Sequence, residues 1–404
     1  MAVFESVFVC RRCDAALTAP VSRVALPVHA HHCYGHDLLP PLMAPGTYAV
    51  DPEPYGPPWR PWSEIGAAEA AARGVYAPVH SLSFGEPGAI AIAPGDARGT
   101  VLIPERCDGY CQGLDGRDGP NLACEQCGQA VATRVDDCSL WQAVWLAPQA
   151  VRRVPADGSA DSDGPDGPDG SAGSDDSADS GGPGGSGGPE GPAATPADWA
   201  ALTEDWPGTP PVEQCGAWNP LWPPAVGAAL AHLVAASEGA PVAVPDGLMA
   251  DIFGHALDAL LPPERPGSPA KRAALAGPSL PAPGGPSPDM VLVPRHPRTG
   301  QVWQPPQGGA YAGAAVVPLA AGIWTYLSFH RARSTVPAPV PVPITGGLPD
   351  GVLRDDPPPL HPWSPFHPVS SAFLDTLARL PAVRRPWLRK LYDHVRDHPY
   401  DRPF

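Results

Sequence analysis

"CDGYCQGLDGRDGPNLACEQCGQ", residues 107–129, sets Cys107, Cys111, Cys124 and Cys127 in one short run broken by glycine and aspartate. Thiols this dense serve as metal ligands, as disulfides or as buried small hydrophobes. The N-terminus "MAVFESVFVCRRCD" carries an acid at Glu5, no basic segment and no apolar run of useful length, which predicts a cytoplasmic chain rather than a secreted one. Thiols stay reduced in that compartment, and nine cysteines is an odd number for a complete disulfide framework. The expectation is metal.

Zinc takes four thiolate or imidazole ligands at the corners of a tetrahedron, and a turn with two residues between cysteines aims both sulfurs at one point. "FVCRRCDAAL" supplies Cys10-x2-Cys13, and "LACEQCGQAV" supplies Cys124-x2-Cys127 followed by Gly128, which can adopt the left-handed backbone. Both pairs lie between apolar, strand-like runs. They resemble the two knuckles of zinc-ribbon proteins, and the similarity covers these short motifs only. Cys107-x3-Cys111 is a looser pair.

Two arrangements follow. In a local one, Cys107, Cys111, Cys124 and Cys127 share one zinc across the loop 112–123, and Cys10, Cys13, Cys33 and His36 hold a second. In a long-range one, the Cys10/Cys13 and Cys124/Cys127 knuckles share one zinc. Cys107 and Cys111 then need Cys138 or a histidine of "HAHHCYGH", residues 29–36. Cys138 and Cys215 have no close partner in sequence and read as buried thiols. Either arrangement closes the coordination shell, so the zinc is expected to be structural.

Catalytic motifs do not accumulate. The zinc-dependent deaminase signature needs His-x-Glu ahead of Pro-Cys-x-x-Cys, and neither knuckle has the proline. "HVRDH", residues 394–398, has the spacing of inverted zinc proteases but Asp397 where a Glu is required, with Pro399 directly after it. Asp251, His255 and Asp258 fall within two helical turns, which reads as a partly buried histidine paired to an acid rather than a site. "GLDGRDGPN" clusters oxygens without calcium-loop spacing. No P-loop, dinucleotide fingerprint or nucleophile elbow is present. A non-enzymatic binding or adaptor protein with a protein partner is favoured; a metal-dependent, hydrolase-like enzyme is the alternative.

Charge narrows the partners. The net charge is -16, with -6 on residues 1–152, -8 on 153–196 and -2 on 197–404. An acidic field repels phosphate backbones, which argues against nucleic acid. The exception is residues 376–404, with seven basic and three acidic side chains. Their helix "RRPWLRKLYDHVRDH" is expected to dock on an acidic surface. "AYAGAAVVPLAAGIWTYLSF", 310–329, is uncharged, but its Ala/Gly content and central Pro318 favour a buried helix or strand pair over a membrane span.

Working outward, the fold class reads as α+β in three parts. Residues 1–152 form a β-rich domain of short runs such as "GTYAVDP", "GAIAIAP", "GTVLIPE" and "AVATRVDDC", with "GDARG" as a hairpin turn and one helix over 62–74 capped by Ser63. Residues 153–196 have almost no apolar side chain and are expected to be a disordered acidic linker. Residues 197–404 form an α+β domain, with helices in "PPAVGAALAHLVAASEG" and "PDGLMADIFGHALDALLPPE" and a strand–turn–strand in "DMVLVPRHPRTGQVWQP". Pro 60 and Gly 44 make up about a quarter of the chain, and lysine occurs only at Lys271 and Lys390. This composition resembles that of high-GC actinobacterial proteins.

Overall fold

A computed structural model describes residues 5–36, 38–54, 56–156, 197–204, 208–213, 216–263, 269–282, 285–306, 308–333, 362 and 364–398. Nearly all of the expected linker, Cys215 and most of the proline-rich stretch 334–363 lie outside the described residues.

The first half contains β1 (Glu5–Cys10), β2 (Val21–Arg23), β3 (Thr47–Val50), β4 (Trp59–Pro61), α1 (Ala67–Ala72), β5 (Ser81–Ser83), β6 (Ile90–Ile92), β7 (Thr100–Leu102), β8 (Leu122–Cys124), β9 (Ala130–Val135), β10 (Ala143–Leu146) and β11 (Val151–Pro155). Nine of these form one sheet in the order β11-β1-β2-β3-β6-β10-β9-β8-β7, while β4 and β5 form a separate ribbon. All neighbours in the nine-stranded sheet are antiparallel except β2 and β3.

Alternation along the strands gives this sheet two buried faces. Ile90, Ile92, Val144 and Leu146 point into one cluster with Phe8, Leu17, Leu122 and Val131. Ala91, Ala143 and Trp145 point the other way, under Leu39, Leu42 and Met43 of the long β2–β3 loop. The sheet also curls. Strands β1 and β8 stand six places apart in the order, yet Cys10 at the end of one and Cys124 at the end of the other reach a common point. A bridge from Thr18 to Ala97 ties the same two ends of the curl.

Two local expectations fail here for physical reasons. "GDARG" is not a hairpin: β6 pairs with β3 and β10, and β7 with β8. Buried Asp96 accepts a hydrogen bond from the Gly46 N–H at 2.8 Å, which anchors a 3₁₀ turn and sends the chain across the curl instead of back along β6. The helix over 62–74 shortens to α1, because Trp62–Glu64 form a separate 3₁₀ turn and Gly66, not Ser63, precedes the helix.

The second half contains α2 (Trp199–Glu204), α3 (Trp222–Ser237), β12 (Val242–Ala243), α4 (Leu248–Leu260), β13 (Lys271–Leu275), β14 (Met290–Arg295), β15 (Ala315–Ala320), α5 (Ala321–Arg333), α6 (Ser370–Arg379) and α7 (Pro386–Asp397). Its sheet runs β12-β13-β14-β15, parallel throughout. The continuous apolar run of β14 suits a parallel strand covered on both faces. The second strand expected after the 297–300 turn is only a single bridge, Arg295 to Val302; the partner of β14 is β15.

Residues 310–329 resolve into the end of a loop, β15 and most of α5, and no helix among the described residues is long and apolar enough to cross a membrane. Helix α3 is buried on nearly every side. Gly227 lets α6 close on it, since a Cβ there would meet the Val369 carbonyl oxygen at 2.6 Å.

Packing crosses the expected division at residue 152. The core of the second half takes in Ile65, Ala70, Val75 and Ala77. The Tyr76 N–H donates to the Ala378 carbonyl at 2.7 Å, the Tyr392 hydroxyl donates to the Pro78 carbonyl at 2.5 Å, and Arg379 pairs with Glu53. The basic C-terminal helix is therefore seated partly on the chain's own residues 75–84.

Candidate metal centre

The two knuckles are near copies of one another. In the first, the Cys10 N–H donates to the Ala15 carbonyl at 2.9 Å and the Asp14 N–H to the Cys10 carbonyl at 2.9 Å. In the second, the Cys124 N–H donates to Gln129 at 2.8 Å and the Gly128 N–H to Cys124 at 2.8 Å. Asp14 and Gly128, each four residues after the first cysteine of its pair, have φ of 57° and 73°. The left-handed residue reverses the chain within the turn, so both thiols of a pair face the same side. Glycine pays nothing for this. Asp14 does, and its carboxylate reaches Arg152 at 2.8 Å.

The curl of the sheet brings the pairs together. Cys10 Sγ lies 3.7 Å from Cys127 Sγ, and Cys13 Sγ lies 3.6 Å from Cys124 Sγ. All four sulfurs fall within 4.8 Å of one another, with Cys10 and Cys124 buried. Disulfide sulfurs would be about 2.05 Å apart. Sulfurs placed about 2.3 Å from a common centre, on tetrahedron corners, are separated by about 3.8 Å. The observed spacings match the second figure, so the donor set fits a tetrahedral metal ion.

The electrostatics are those of thiols in need of a cation. At Cys13 the Ala15 N–H pulls the thiol down, but burial and the neighbouring thiols outweigh it and push it up to about 12. At Cys127 the Gln129 N–H is the leading cause of a fall to about 7. Four thiolates this close cannot all ionise without positive charge between them.

A second group gathers His36, Cys111 and Cys138, whose ligand atoms also lie within 4.8 Å of one another. Buried Asp137 organises it, accepting from the Gln112 N–H at 2.9 Å and the Cys138 N–H at 2.7 Å. Burial raises the Asp137 carboxyl, but these N–H bonds outweigh it and hold it low. The loop bearing His36 is docked by the Tyr34 N–H on the Ser139 carbonyl at 3.0 Å, and by the Ser139 hydroxyl on the Gly35 carbonyl at 2.5 Å. The Cys111 thiol and burial push Cys138 up to about 12.

The local arrangement is not what the structure assembles. Cys124 and Cys127 face Cys10 and Cys13, not Cys107 and Cys111. Cys107 stands outside both groups, its thiol donating to the Ile103 carbonyl at 3.3 Å behind a 3₁₀ turn. Cys33 is also outside both and sits near Asp375, while His36 joins Cys111 instead of Cys10 and Cys13. Cys138, read from sequence mainly as a lone thiol, is a member of the second group. The only sequence signal for it was the shortage of partners for Cys111.

The other candidates resolve into surface pairs. Asp397 is held by Arg396, Asp115 by Arg117, and Asp251, His255 and Asp258 lie on the exposed side of α4. No family model, curated protein or solved structure matches the chain.

Proposed function

We propose that Cys10, Cys13, Cys124 and Cys127 hold one structural zinc ion, and that the chain is a cytoplasmic, non-enzymatic binding or adaptor protein acting on a protein partner. The sulfur spacing of 3.6–3.7 Å carries the metal part of this reading. Four soft thiolates favour zinc among the common cellular ions, and four protein ligands leave no position for substrate. The ion would add a side-chain clip to the seam that the Thr18–Ala97 bridge already ties. Support for a protein partner comes from the sheet edge at β7, where Val101 and Leu102 are each 47% exposed. Acidic charge argues against nucleic acid.

Metal analysis of the purified protein tests this. One tightly held zinc per chain, lost in Cys10→Ser/Cys13→Ser and in Cys124→Ser/Cys127→Ser alike, is the expected result. Protein without zinc, or a Cys10→Ser/Cys13→Ser variant that keeps it, would sink the proposal.

One observation favours the enzymatic alternative. His36, Cys111 and Cys138 supply three ligands, the number at which catalytic zinc keeps a fourth position for water. A second zinc per chain that disappears in Cys138→Ser, together with esterase or amidase turnover lost in the same variant, would establish that reading. A stoichiometry of one that Cys138→Ser leaves unchanged would exclude it.

A further inference from the structure

Away from the cysteines, a cavity of about 190 Å³ opens between the two halves. Leu26, Pro27 and Val28 of the β2–β3 loop form one wall, and Arg295 and Ala320–Ile323 form the other. The Ala25 N–H bonds the Pro297 carbonyl at 3.1 Å and closes one end. The second wall lies at the carboxyl ends of parallel strands β14 and β15, where α5 begins. Crevices at that end of parallel sheets are where α/β proteins bind ligands, and the first turn of a helix presents N–H groups with no intrahelical partner.

Three features of the lining point to one class of ligand. Arg295 is half-buried, and no carboxylate among the described residues pairs with it. Burial holds its guanidinium below the usual range, and no acid opposes the shift. An enclosed cation without a counterion is costly, and the cost is removed when an anion arrives. His29, on the facing loop, packs against Trp141 at a tilt with ring centroids 4.3 Å apart, and its buried Nε2 has no hydrogen-bond partner among the described residues. Apart from Thr209, His29, Arg295 and His296, the lining is apolar side chains and backbone. The volume slightly exceeds the roughly 150 Å³ cavity that accepts benzene.

We infer that this cavity binds a small organic carboxylate, with the anion on Arg295 and the first turn of α5 and an apolar body against Leu26, Pro27, Val28 and Ile323. One guanidinium fork matches one carboxylate through two parallel hydrogen bonds. A phosphate dianion would bring three charged oxygens into a site with too few donors. His29 supplies one further polar contact. Burial and the charge of His32 hold its ring down at about 3, so it meets the ligand as a neutral imidazole.

The assignment is independent of the metal proposal and is tested on full-length protein as purified. Benzoate and isovalerate are titrated by calorimetry and by thermal shift, with benzamide and inorganic phosphate as controls. Saturable binding of at least one carboxylate is expected, with no response to benzamide or phosphate. Arg295→Gln should weaken it by at least about tenfold, while the ligand-free variant keeps its metal content and melts no lower than wild type, because an unpaired cation has been removed. Val28→Phe should block binding from the opposite wall with Arg295 intact. The inference falls if neither carboxylate binds, if phosphate binds and they do not, or if Arg295→Gln and Val28→Phe both bind as wild type does.

Discussion

The two halves of this protein solve the same problem by different means. The first winds nine strands of three to six residues into a curled sheet whose ends bring four cysteine thiols together. The second places four parallel strands among well-filled helices, with Trp222, Trp324, Phe253 and Phe373 fully buried. Short strands rich in alanine bury little apolar surface each, and burial is worth only about 25 cal/mol per Å². The comparison teaches that the four thiols sit at the edge of the smaller core, with Cys10 and Cys124 buried among its apolar side chains. The four sulfurs meet at a seam that backbone hydrogen bonds from Ala19 to Asp96 and from Arg98 to Leu17 already tie in part, and the proposed ion would add a side-chain clip there.

The strongest way to break this comparison is to take away the clip. Chelation of metal-replete protein, or Cys124→Ser/Cys127→Ser, should cost the first half on the order of 10 kcal/mol of apparent stability. Hydrogen exchange should show β1, β8 and β9 losing protection while β14 and α3 retain it. Equal loss in both halves would mean that the seam through Tyr76, Pro78 and Tyr392 makes one cooperative unit. Cys107→Ser, which removes only a thiol bond to the Ile103 carbonyl, should cost no more than about 1 kcal/mol.

The reciprocal experiment empties the other core. Trp324 is fully buried and donates from Nε1 to the Ala276 carbonyl at 3.0 Å. Trp324→Ala should cost about 3–5 kcal/mol in the second half and leave bound metal per chain unchanged. Loss of metal in this variant would contradict the division of labour.

Acid sharpens the contrast by a smaller amount. Burial leads the causes that hold His29 at about 3 and His32 at about 4 in the first half, and His232 at about 4 in the second. The unfolded chain takes up these protons near pH 6.5, whereas the folded chain refuses them until pH 3–4, so stability is full above 6.5 and drains as pH falls through that window. Urea midpoints should fall from pH 6.5 to 4, more steeply for probes in the first half. His232→Gln should flatten the dependence of the second half; an unchanged slope there would show that His232 titrates normally.

The smallest effect separates the two knuckles. Gly128→Ala meets no neighbouring atom within 4 Å but must hold φ at +73°, which should cost about 1–2 kcal/mol. Asp14→Gly relieves the same strain and forfeits an exposed ion pair with Arg152, leaving a net change near zero in the melting temperature. Equal losses in the two variants would mean that the turns are not equivalent.

Local chemistry was legible in the sequence, and long-range geometry was not. Each Cys-x2-Cys turn, the special role of Gly128 and the helices α3, α4 and α7 follow from spacing within a few residues. Which pairs meet depends on how far the sheet curls, and nothing in residues 107–129 encodes the distance to Cys10. The same blindness produced the hairpin at 95–99, where one buried hydrogen bond from Gly46 to Asp96 redirects the chain. It also hid β15 as the partner of β14, about 20 residues downstream, behind the nearer run around Val302. The local arrangement put His36 with Cys33 because they are close in sequence, whereas the docking of residues 34–36 on Ser139 carries it to Cys111, the kind of partner the long-range arrangement left open. Residues 62–84 read as part of the first domain because they lie within it in the chain, although their apolar side chains complete the core of the second.

The separation of the two knuckles along the chain also sets an order in time. Cys13 and Cys124 are 111 positions apart, and Cys10 and Cys127 are 117 apart. On the ribosome the first pair emerges long before the second exists, and two thiolates alone make a weak site. Closing so long a loop carries an entropic penalty that grows only slowly with length, but the intervening strands must be wound for the ends to meet. On the proposed reading, capture of the ion would be the final step in building the sheet, not its nucleus. A nascent chain released before Cys127 would carry only half of the proposed site, and pairings this far apart in sequence are expected to form late and slowly.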